Sequence, residues 1–162
     1  MEVKSATITI EKTKTSKINT VDFNNLKFGS VYSDHMLVCD YKDGEWKAPE
    51  IMPYQPLTLD PASKIFHYGQ SIFEGMKAYK DEEGQAWLFR PLDNFNRLNI
   101  SAKRLCIPEI PEAYFMEGLS TLIDLEKDWI PTTAGSSLYI RPFILASGLG
   151  FHASPADEYK FL

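Results

Sequence analysis

Two amphipathic helices that follow each other directly constrain this fold more than any other feature of the sequence. The first is predicted to begin at Pro91 and to end before Pro108, because proline favours a first helical turn and apolar residues recur at spacings of three and four. The second begins at Pro111-Glu112, keeps the same spacing and ends at residues 128–131. Their apolar faces consist of Phe95, Leu98, Ala102 and Leu105 in the first helix and Phe115, Leu119, Leu122 and Ile123 in the second. No strand pattern separates the two helices, which argues against a repeated βαβ arrangement.

Strand patterns flank the helical pair on both sides. Residues 6–12 alternate apolar and polar side chains as a half-buried strand does, and a polar connector follows them. Two hairpins are predicted next, one closed by Asp43-Gly44 and the other by the acidic turn at residues 81–84. After the helices, residues 137–146 are rich in β-branched and aromatic side chains, which predicts a central strand. We therefore expect an α+β fold in which a mainly antiparallel sheet packs against two helices.

Two details of the last strands are irregular. Pro142 lacks the N–H group that a strand ladder needs, so it requires an edge position or a bulge. Residues 159–162 are apolar, and we expect them to begin a strand whose remainder is missing. The predicted organisation is an N-terminal strand and connector over residues 1–27, followed by one small domain over residues 28–162.

Composition argues against several classes of function. The length of 162 residues suits one domain, and 44% hydrophobic residues suffice for a core. The net charge is −5 and the basic residues are scattered, which argues against binding to nucleic acid. The sequence has no leader-like start and no apolar run of about 18 residues, so we expect a soluble, cytoplasmic protein without membrane contact.

A metal site and a disulfide framework are not expected either. Cys39 and Cys106 each lie among apolar residues, which predicts two buried, reduced thiols. The three histidines are scattered, without a pair at the spacing of metal ligands.

Isolated charges and aromatics near strand ends are the remaining candidates for chemistry. Tyr139 and Arg141 are two residues apart, so their side chains share a face and could bind a carboxylate together. Alternatively, Tyr139 covers the core edge while Arg141 pairs with a surface acid. Arg97 borders the apolar face of the first helix, where it is either a snorkelling side chain or a phosphate ligand. Glu74 is a lone acid in an apolar strand and requires a partner, and Gly75 beside it indicates close backbone approach or a bulge.

Four segments, taken together and in this order, resemble one enzyme family. They are FGSVYSDHMLVCDY (28–41), IFHYGQSIFEGMKAYK (65–80), LFRPLDNFNRLNISAKRLCIP (88–108) and DWIPTTAGSSLYIRPFILASGLGF (128–151). They resemble the N-terminal half of a branched-chain amino acid aminotransferase, an enzyme of fold-type IV that uses pyridoxal 5′-phosphate. The resemblance implies that this chain is the small N-terminal domain of such an enzyme.

The resemblance also implies roles for individual residues. Arg97 matches the arginine that binds the cofactor phosphate in the family. The residues that match the substrate pocket are Phe28, Tyr68, Phe73, Tyr139 and Arg141. A further match, Leu149, Gly150 and Phe151, lies on a loop that reaches the active site of the partner subunit, which implies a homodimer.

The same resemblance implies that the catalytic group lies outside this chain. Family members are about twice as long, and the lysine that carries the cofactor belongs to the half that is not matched here. The lysines nearest the matched motifs are Lys64, Lys77, Lys80 and Lys103, and none lies in a segment like the family's catalytic one. We therefore expect a fragment that has no catalytic residue of its own, is inactive alone and does not retain the cofactor.

The implied activity of the full-length enzyme is transamination of leucine, isoleucine or valine with 2-oxoglutarate, as in amino-acid biosynthesis. Two alternatives remain open at this point. One is another fold-type IV enzyme, a D-amino acid aminotransferase or an aminodeoxychorismate lyase, although the segments FEGMKAY and YIR favour the branched-chain enzyme. The other is a non-catalytic interaction module that has kept the fold.

Overall fold

The two predicted helices lie where their apolar spacing and prolines place them. The structure, a computed structural model, describes residues 6–162. Its α-helices are α1 (Lys64–Tyr68), α2 (Pro91–Arg104) and α3 (Glu112–Leu125), and short 3₁₀ turns occur at Ile18–Thr20 and Lys127–Trp129. The short helix α1 was not predicted, since a single helical turn is too brief to show an apolar periodicity.

Within residues 6–162, ten strands form two sheets. They are β1 (Thr9–Ile10), β2 (His35–Lys42), β3 (Glu45–Trp46), β4 (Glu50–Pro53), β5 (Ser71–Phe73), β6 (Met76–Lys80), β7 (Ala86–Leu88), β8 (Leu138–Ile140), β9 (Phe143–Ala146) and β10 (Tyr159–Phe161). The larger sheet has the order β1-β4-β2-β10-β9-β5, with β3 also paired to β2, and the smaller sheet has the order β7-β6-β8. All pairs are antiparallel except β1 with β4. The predicted α+β fold is confirmed.

Both predicted hairpins are present. Asp43 and Gly44 both have positive φ angles, as the tight turn between β2 and β3 requires. The return arm of this hairpin breaks after Trp46, and β4 then pairs with the first half of β2. The N-terminal strand is shorter than predicted: β1 covers two residues, both exposed, at the edge of the sheet. Residues 1–5 of the predicted N-terminal segment lie outside the described residues.

Two segments of the chain each contribute one strand to the large sheet and one to the small sheet. The sequence pattern predicts a single continuous strand in each of these segments. Glu74 and Gly75 separate β5 in the large sheet from β6 in the small one, and Arg141 and Pro142 separate β8 from β9 in the same way. We call these four residues the strand crossing. The N–H of Glu74 donates to the carbonyl of Pro142 at 2.8 Å, so the two interruptions lie side by side. The expected irregularity at Pro142 is therefore a change of sheet.

The core lies between the helices and the sheets, and it includes Met76 and Ala78 of β6 in the small sheet. Phe95 of α2 packs on Phe115 of α3, with ring centroids 5.5 Å apart, and Phe115 packs on Phe161 of β10. On the same buried face of α3, Gly118 lets the helix approach Leu37 of β2. The strand expected to begin at residues 159–162 is β10, which pairs with β2 on one side and β9 on the other.

The two cysteines differ in environment, which corrects one expectation. Cys39 is buried in β2 as predicted, but Cys106 is exposed. Cys106 follows the end of α2 with a φ angle of 55°, in the left-handed region, where the chain turns back towards Ile107. The flanking apolar residues Leu105 and Ile107 could not reveal this turn, because burial of a thiol after a helix end depends on the local backbone direction.

We predict that the two thiols differ in reactivity. Burial, with smaller contributions from Asp40 and Glu50, raises the pKa of the Cys39 thiol to about 12, and the thiolate is the reactive form. Treatment of the native protein with iodoacetamide at neutral pH should therefore modify Cys106 and leave Cys39 unmodified, as read by peptide mass spectrometry. In 6 M guanidinium both should react. Equal labelling of both thiols in the native protein would contradict the described position of β2.

Candidate functional site

The strand crossing carries a buried ion pair. The Glu74 side chain is 4% exposed, whereas that of its partner Arg97 is 66% exposed. The Nε and Nη2 groups of Arg97 donate to the two carboxylate oxygens at 2.6 and 2.7 Å. Asn94, one helical turn before Arg97 on α2, donates to the same carboxylate at 3.1 Å. The predicted need of Glu74 for a partner is confirmed, and the partner is the arginine singled out independently on α2.

Glu74 is charged at neutral pH. Its burial acts to raise the pKa of the carboxyl, but the hydrogen bonds from Arg97, Asn94 and the N–H of Gly75 outweigh burial and hold the pKa below its ordinary value of 4.5. Hydrogen bonds to a carboxylate favour its ionised form in this way. The site therefore presents an exposed cation whose inner edge is held by a buried anion.

Four of the predicted pocket residues come together beside this ion pair. The Arg141 guanidinium lies over the Phe73 ring at 4.5 Å and over the Tyr139 ring at 5.3 Å. Its Nη2 donates to the Tyr139 hydroxyl oxygen at 3.1 Å. Phe28, 80% exposed, packs edge-on against Tyr139 with centroids 5.0 Å apart. We call Phe28, Phe73, Tyr139 and Arg141 the aromatic cluster.

This geometry bears on one of the two interpretations of Arg141 from sequence, its pairing with a surface acid. Within residues 6–162, no carboxylate lies within ion-pair distance of Arg141, so the expected surface acid is not found there. The guanidinium instead contacts the rings of Phe73 and Tyr139 and donates to the Tyr139 hydroxyl oxygen. An arginine held in this way keeps free donors for a planar anion such as a carboxylate.

Gly75 brings the ion pair and the aromatic cluster into contact. A Cβ atom at this position would lie 2.3 Å from the Tyr139 hydroxyl oxygen. Such a distance is far below a normal contact, so the absence of a side chain is what lets Tyr139 cover the strand crossing. The expected close backbone approach at Gly75 is confirmed.

The remaining predicted residues form a second group. The Tyr68 hydroxyl donates to the carbonyl of Phe151, and the Phe151 ring packs edge-on against His67 with centroids 4.9 Å apart. Leu149 and Phe151 are exposed, while Gly150 has a φ angle of 125° and donates its N–H to Ala62. Residues 148–155 thus form a loop, the C-terminal loop, that lies against α1 and displays apolar side chains.

Lys64, which the sequence patterns did not single out as a structural residue, holds this loop. It is 6% exposed, and its Nζ donates to the Ser154 carbonyl, the Ser154 hydroxyl and the Pro155 carbonyl at 2.8 to 3.0 Å. Its backbone N–H also donates to the Gly148 carbonyl. Three acceptors satisfy all three protons of the ammonium group, so Lys64 anchors the loop at both of its ends.

An apolar cavity of about 420 Å³ adjoins the aromatic cluster. Phe115, Leu119 and Ile123 of α3 line one of its walls, and Tyr139 and Arg141 lie on its boundary. Arg97 does not line it. Among residues 6–162, no group of three or more histidine, cysteine or acidic side chains is arranged to hold a metal ion. In the same part of the chain, no helix has the length and apolarity needed to cross a membrane.

Comparison with known proteins gives a consistent result. The chain is 50% identical over 157 residues to branched-chain-amino-acid aminotransferase 2 of Bacillus subtilis, which covers 96% of this chain and 43% of that protein. It is 46% identical over 142 residues to branched-chain-amino-acid transaminase 1 of the same organism, with 87% and 40% covered. A branched-chain-amino-acid aminotransferase of Mycolicibacterium smegmatis is 46% identical over 140 residues. No protein-family model matches the chain.

Solved structures agree on the fold. A branched-chain amino acid aminotransferase from Escherichia coli aligns with a TM-score of 0.55 at 24% identity, covering 78% of this chain and 40% of that one. The branched-chain aminotransferase of the archaeon Thermoproteus uzoniensis aligns with a TM-score of 0.51 at 24% identity. At this identity the likeness shows the fold alone. The resemblance to branched-chain aminotransferases stated from the motifs is confirmed, and the chain spans about two fifths of the length of the curated relatives it matches.

We predict that Gly75→Ala destabilises the protein through Tyr139. The added methyl group displaces the phenol, and overpacking of this kind costs about 1 to 3 kcal/mol of unfolding free energy. In a Tyr139→Phe background the hydroxyl oxygen is absent, so the same substitution should cost clearly less. Urea unfolding of the wild type, both single variants and the double variant measures the coupling. Equal costs in the two backgrounds would show that Tyr139 is not the neighbour that limits residue 75.

Proposed function

We propose that the protein to which this chain belongs is a pyridoxal-phosphate-dependent branched-chain amino acid aminotransferase. The reaction would transfer the amino group between leucine, isoleucine or valine and 2-oxoglutarate. The observation that carries the proposal is the 50% identity over 157 residues to a Bacillus subtilis branched-chain-amino-acid aminotransferase. Two relatives of this name differ in organism but match nearly the same residues, which supports a shared activity.

Arg97 fits the cofactor phosphate. It is permanently charged and its side chain is largely exposed. Within this side chain, only Nε and Nη2 donate hydrogen bonds to Glu74. The outer edge of the guanidinium, including Nη1, remains available to an anion, and a planar fork of N–H donors matches phosphate geometry. When bound, pyridoxal phosphate supplies the electron sink that stabilises charge at the substrate carbon. The lysine that moves the proton is not assigned within this chain.

The aromatic cluster suits the substrates of this reaction. Phe28 and Phe73 offer apolar surface to a branched side chain, and Arg141 offers charge to a carboxylate. Since Arg141 donates to the Tyr139 oxygen, the proton of that hydroxyl is free to be donated to a bound substrate. Glutamate must enter the same pocket, and we assign its side-chain carboxylate to Tyr139 and Arg141 as polar contacts. Tyr68, whose hydroxyl donates to the Phe151 carbonyl, is assigned to the substrate site through the C-terminal loop.

The C-terminal loop supports a homodimer. Leu149 and Phe151 are exposed apolar residues on a loop that Lys64 and Ala62 fix to the domain. An ordered loop that displays apolar side chains is suited to contact a second subunit. We assign these residues, with Gly150, to the active site of the partner, and we place the enzyme in the cytoplasm, in amino-acid biosynthesis.

The decisive experiment uses the longest natural product of the gene. Incubation with pyridoxal phosphate should give an absorbance band in the visible range that borohydride removes, because the covalently bound cofactor is reduced. The same protein should form glutamate from leucine and 2-oxoglutarate. Absence of both the band and the activity would leave the interaction-module alternative in place.

We predict that Arg97→Ala weakens cofactor binding and leaves substrate choice unchanged. Loss of charge-assisted hydrogen bonds to the phosphate should reduce affinity roughly tenfold to hundredfold. Equilibrium dialysis with pyridoxal phosphate measures the loss, and the relative rates with leucine, isoleucine and valine measure the choice. Arg90→Ala is the matched control, because Arg90 is also exposed, lies at the start of the same helix and pairs with Asp93. Unchanged affinity in Arg97→Ala would count against the assignment.

A further inference from the structure

The carboxylate of Glu74 accepts more hydrogen bonds than its ion pair with Arg97 alone provides. It accepts two N–H bonds from Arg97, one from Asn94 at 3.1 Å and one from the backbone of Gly75 at 3.3 Å. Asn94 is itself fixed by a second bond to the Gly75 carbonyl. Several donors therefore hold the acceptor in place, and it lies at the strand crossing, where the N–H of Glu74 donates to the Pro142 carbonyl.

The two partners of the ion pair differ strongly in solvent exposure. Glu74 is buried at 4% exposure, while two thirds of the Arg97 side chain is exposed. The buried carboxylate thus binds the inner edge of the guanidinium, and the outer edge faces solvent. Within residues 6–162, no acceptor is paired with Nη1 of Arg97.

We infer that Glu74 is a positioning residue that aims the free edge of Arg97 at the phosphate of the cofactor. The inference rests on the function proposed above and adds a residue that does not itself touch the cofactor. A long arginine side chain on a helix surface otherwise samples many rotamers, and holding it in place beforehand removes that cost from binding.

Glu74 also carries a negative charge, which on its own would oppose a phosphate. The two effects have opposite signs, so their balance can be measured. The carboxylate lies behind the guanidinium and the phosphate would lie in front of it, in a position open to solvent, where water and salt weaken the repulsion. Orientation is a local effect that solvent does not screen. We therefore expect orientation to dominate.

The test is Glu74→Gln in the full-length protein. Glutamine keeps the shape of the side chain but replaces one acceptor oxygen by a donor, so it cannot receive both N–H groups of Arg97. Dissociation constants are measured for pyridoxal phosphate and for pyridoxal, which lacks the phosphate. We expect about tenfold weaker binding of pyridoxal phosphate and unchanged binding of pyridoxal.

A double-mutant cycle separates positioning from general stability. In an Arg97→Ala background, Glu74→Gln should cause no further loss of pyridoxal phosphate affinity, since the residue acts through Arg97. The matched control is Asp93→Asn, which removes one negative charge from an exposed pair with Arg90 on α2, the helix that carries Arg97, and should leave both affinities unchanged. If Glu74→Gln does not fold, Asn94→Ala keeps the ion pair but loosens the carboxylate, and it should show the same selective loss to a smaller extent.

Several outcomes would overturn the inference alone. They are tighter binding of pyridoxal phosphate by Glu74→Gln, unchanged binding, equal loss for both ligands, or a full further loss in the Arg97→Ala background. In each of these cases the wild type still binds pyridoxal phosphate and the proposed function stands. A wild-type protein that binds neither ligand would instead overturn the proposed function, and the inference with it.

Discussion

The burial of one carboxylate at the strand crossing organises this domain. Glu74 interrupts a strand where an apolar residue would continue it, and a buried charge is tolerated only with hydrogen-bonded partners. Those partners are Arg97 and Asn94 on α2, so the helix is tied to the point at which the chain changes sheets. The neighbouring Gly75 admits Tyr139, and Tyr139 in turn supports Arg141. The burial of the Glu74 carboxylate thus determines the positions of Arg97 and Arg141, the two candidate cationic groups.

Buried polar side chains elsewhere in the domain act in the same way on irregular segments. Lys64 anchors the C-terminal loop through three oxygen acceptors. His35 accepts the N–H of Thr13 at Nε2, so its other nitrogen carries the proton and donates to the buried carboxylate of Glu126. In each case a polar side chain inside the protein satisfies backbone groups that no strand or helix serves. Polar burial here fixes loops, while the aromatic contacts between α2, α3 and β10 make the core.

Local sequence patterns predicted the helices and strands well, but they predicted poorly where the strands are interrupted. The helices, both hairpin turns and the α+β class followed from proline positions, apolar spacing, the Asp43-Gly44 pair and the acidic turn at residues 81–84. The segments around Glu74 and Arg141 resemble single strands, because side-chain alternation continues through both of them. Whether such a run stays in one sheet depends on which strands pair with its two halves, and pairing is a long-range property. Cys106 was mispredicted for a similar reason, since its flanking residues gave no sign of the turn after α2.

The sequence alone determined which residues are candidates: helix positions set by spacing of three and four, a lone acid in an apolar strand, and an arginine at the margin of a helix. It also determined the family resemblance, through motifs that lie in a fixed order. Only the tertiary structure decided that Glu74 and Arg97, 23 positions apart, are partners, and that Phe28 packs on Tyr139, 111 positions later. The physical reason is that secondary structure follows from interactions within a few residues, whereas the partner of a buried charge is set by whichever distant group the packed elements bring within hydrogen-bond distance.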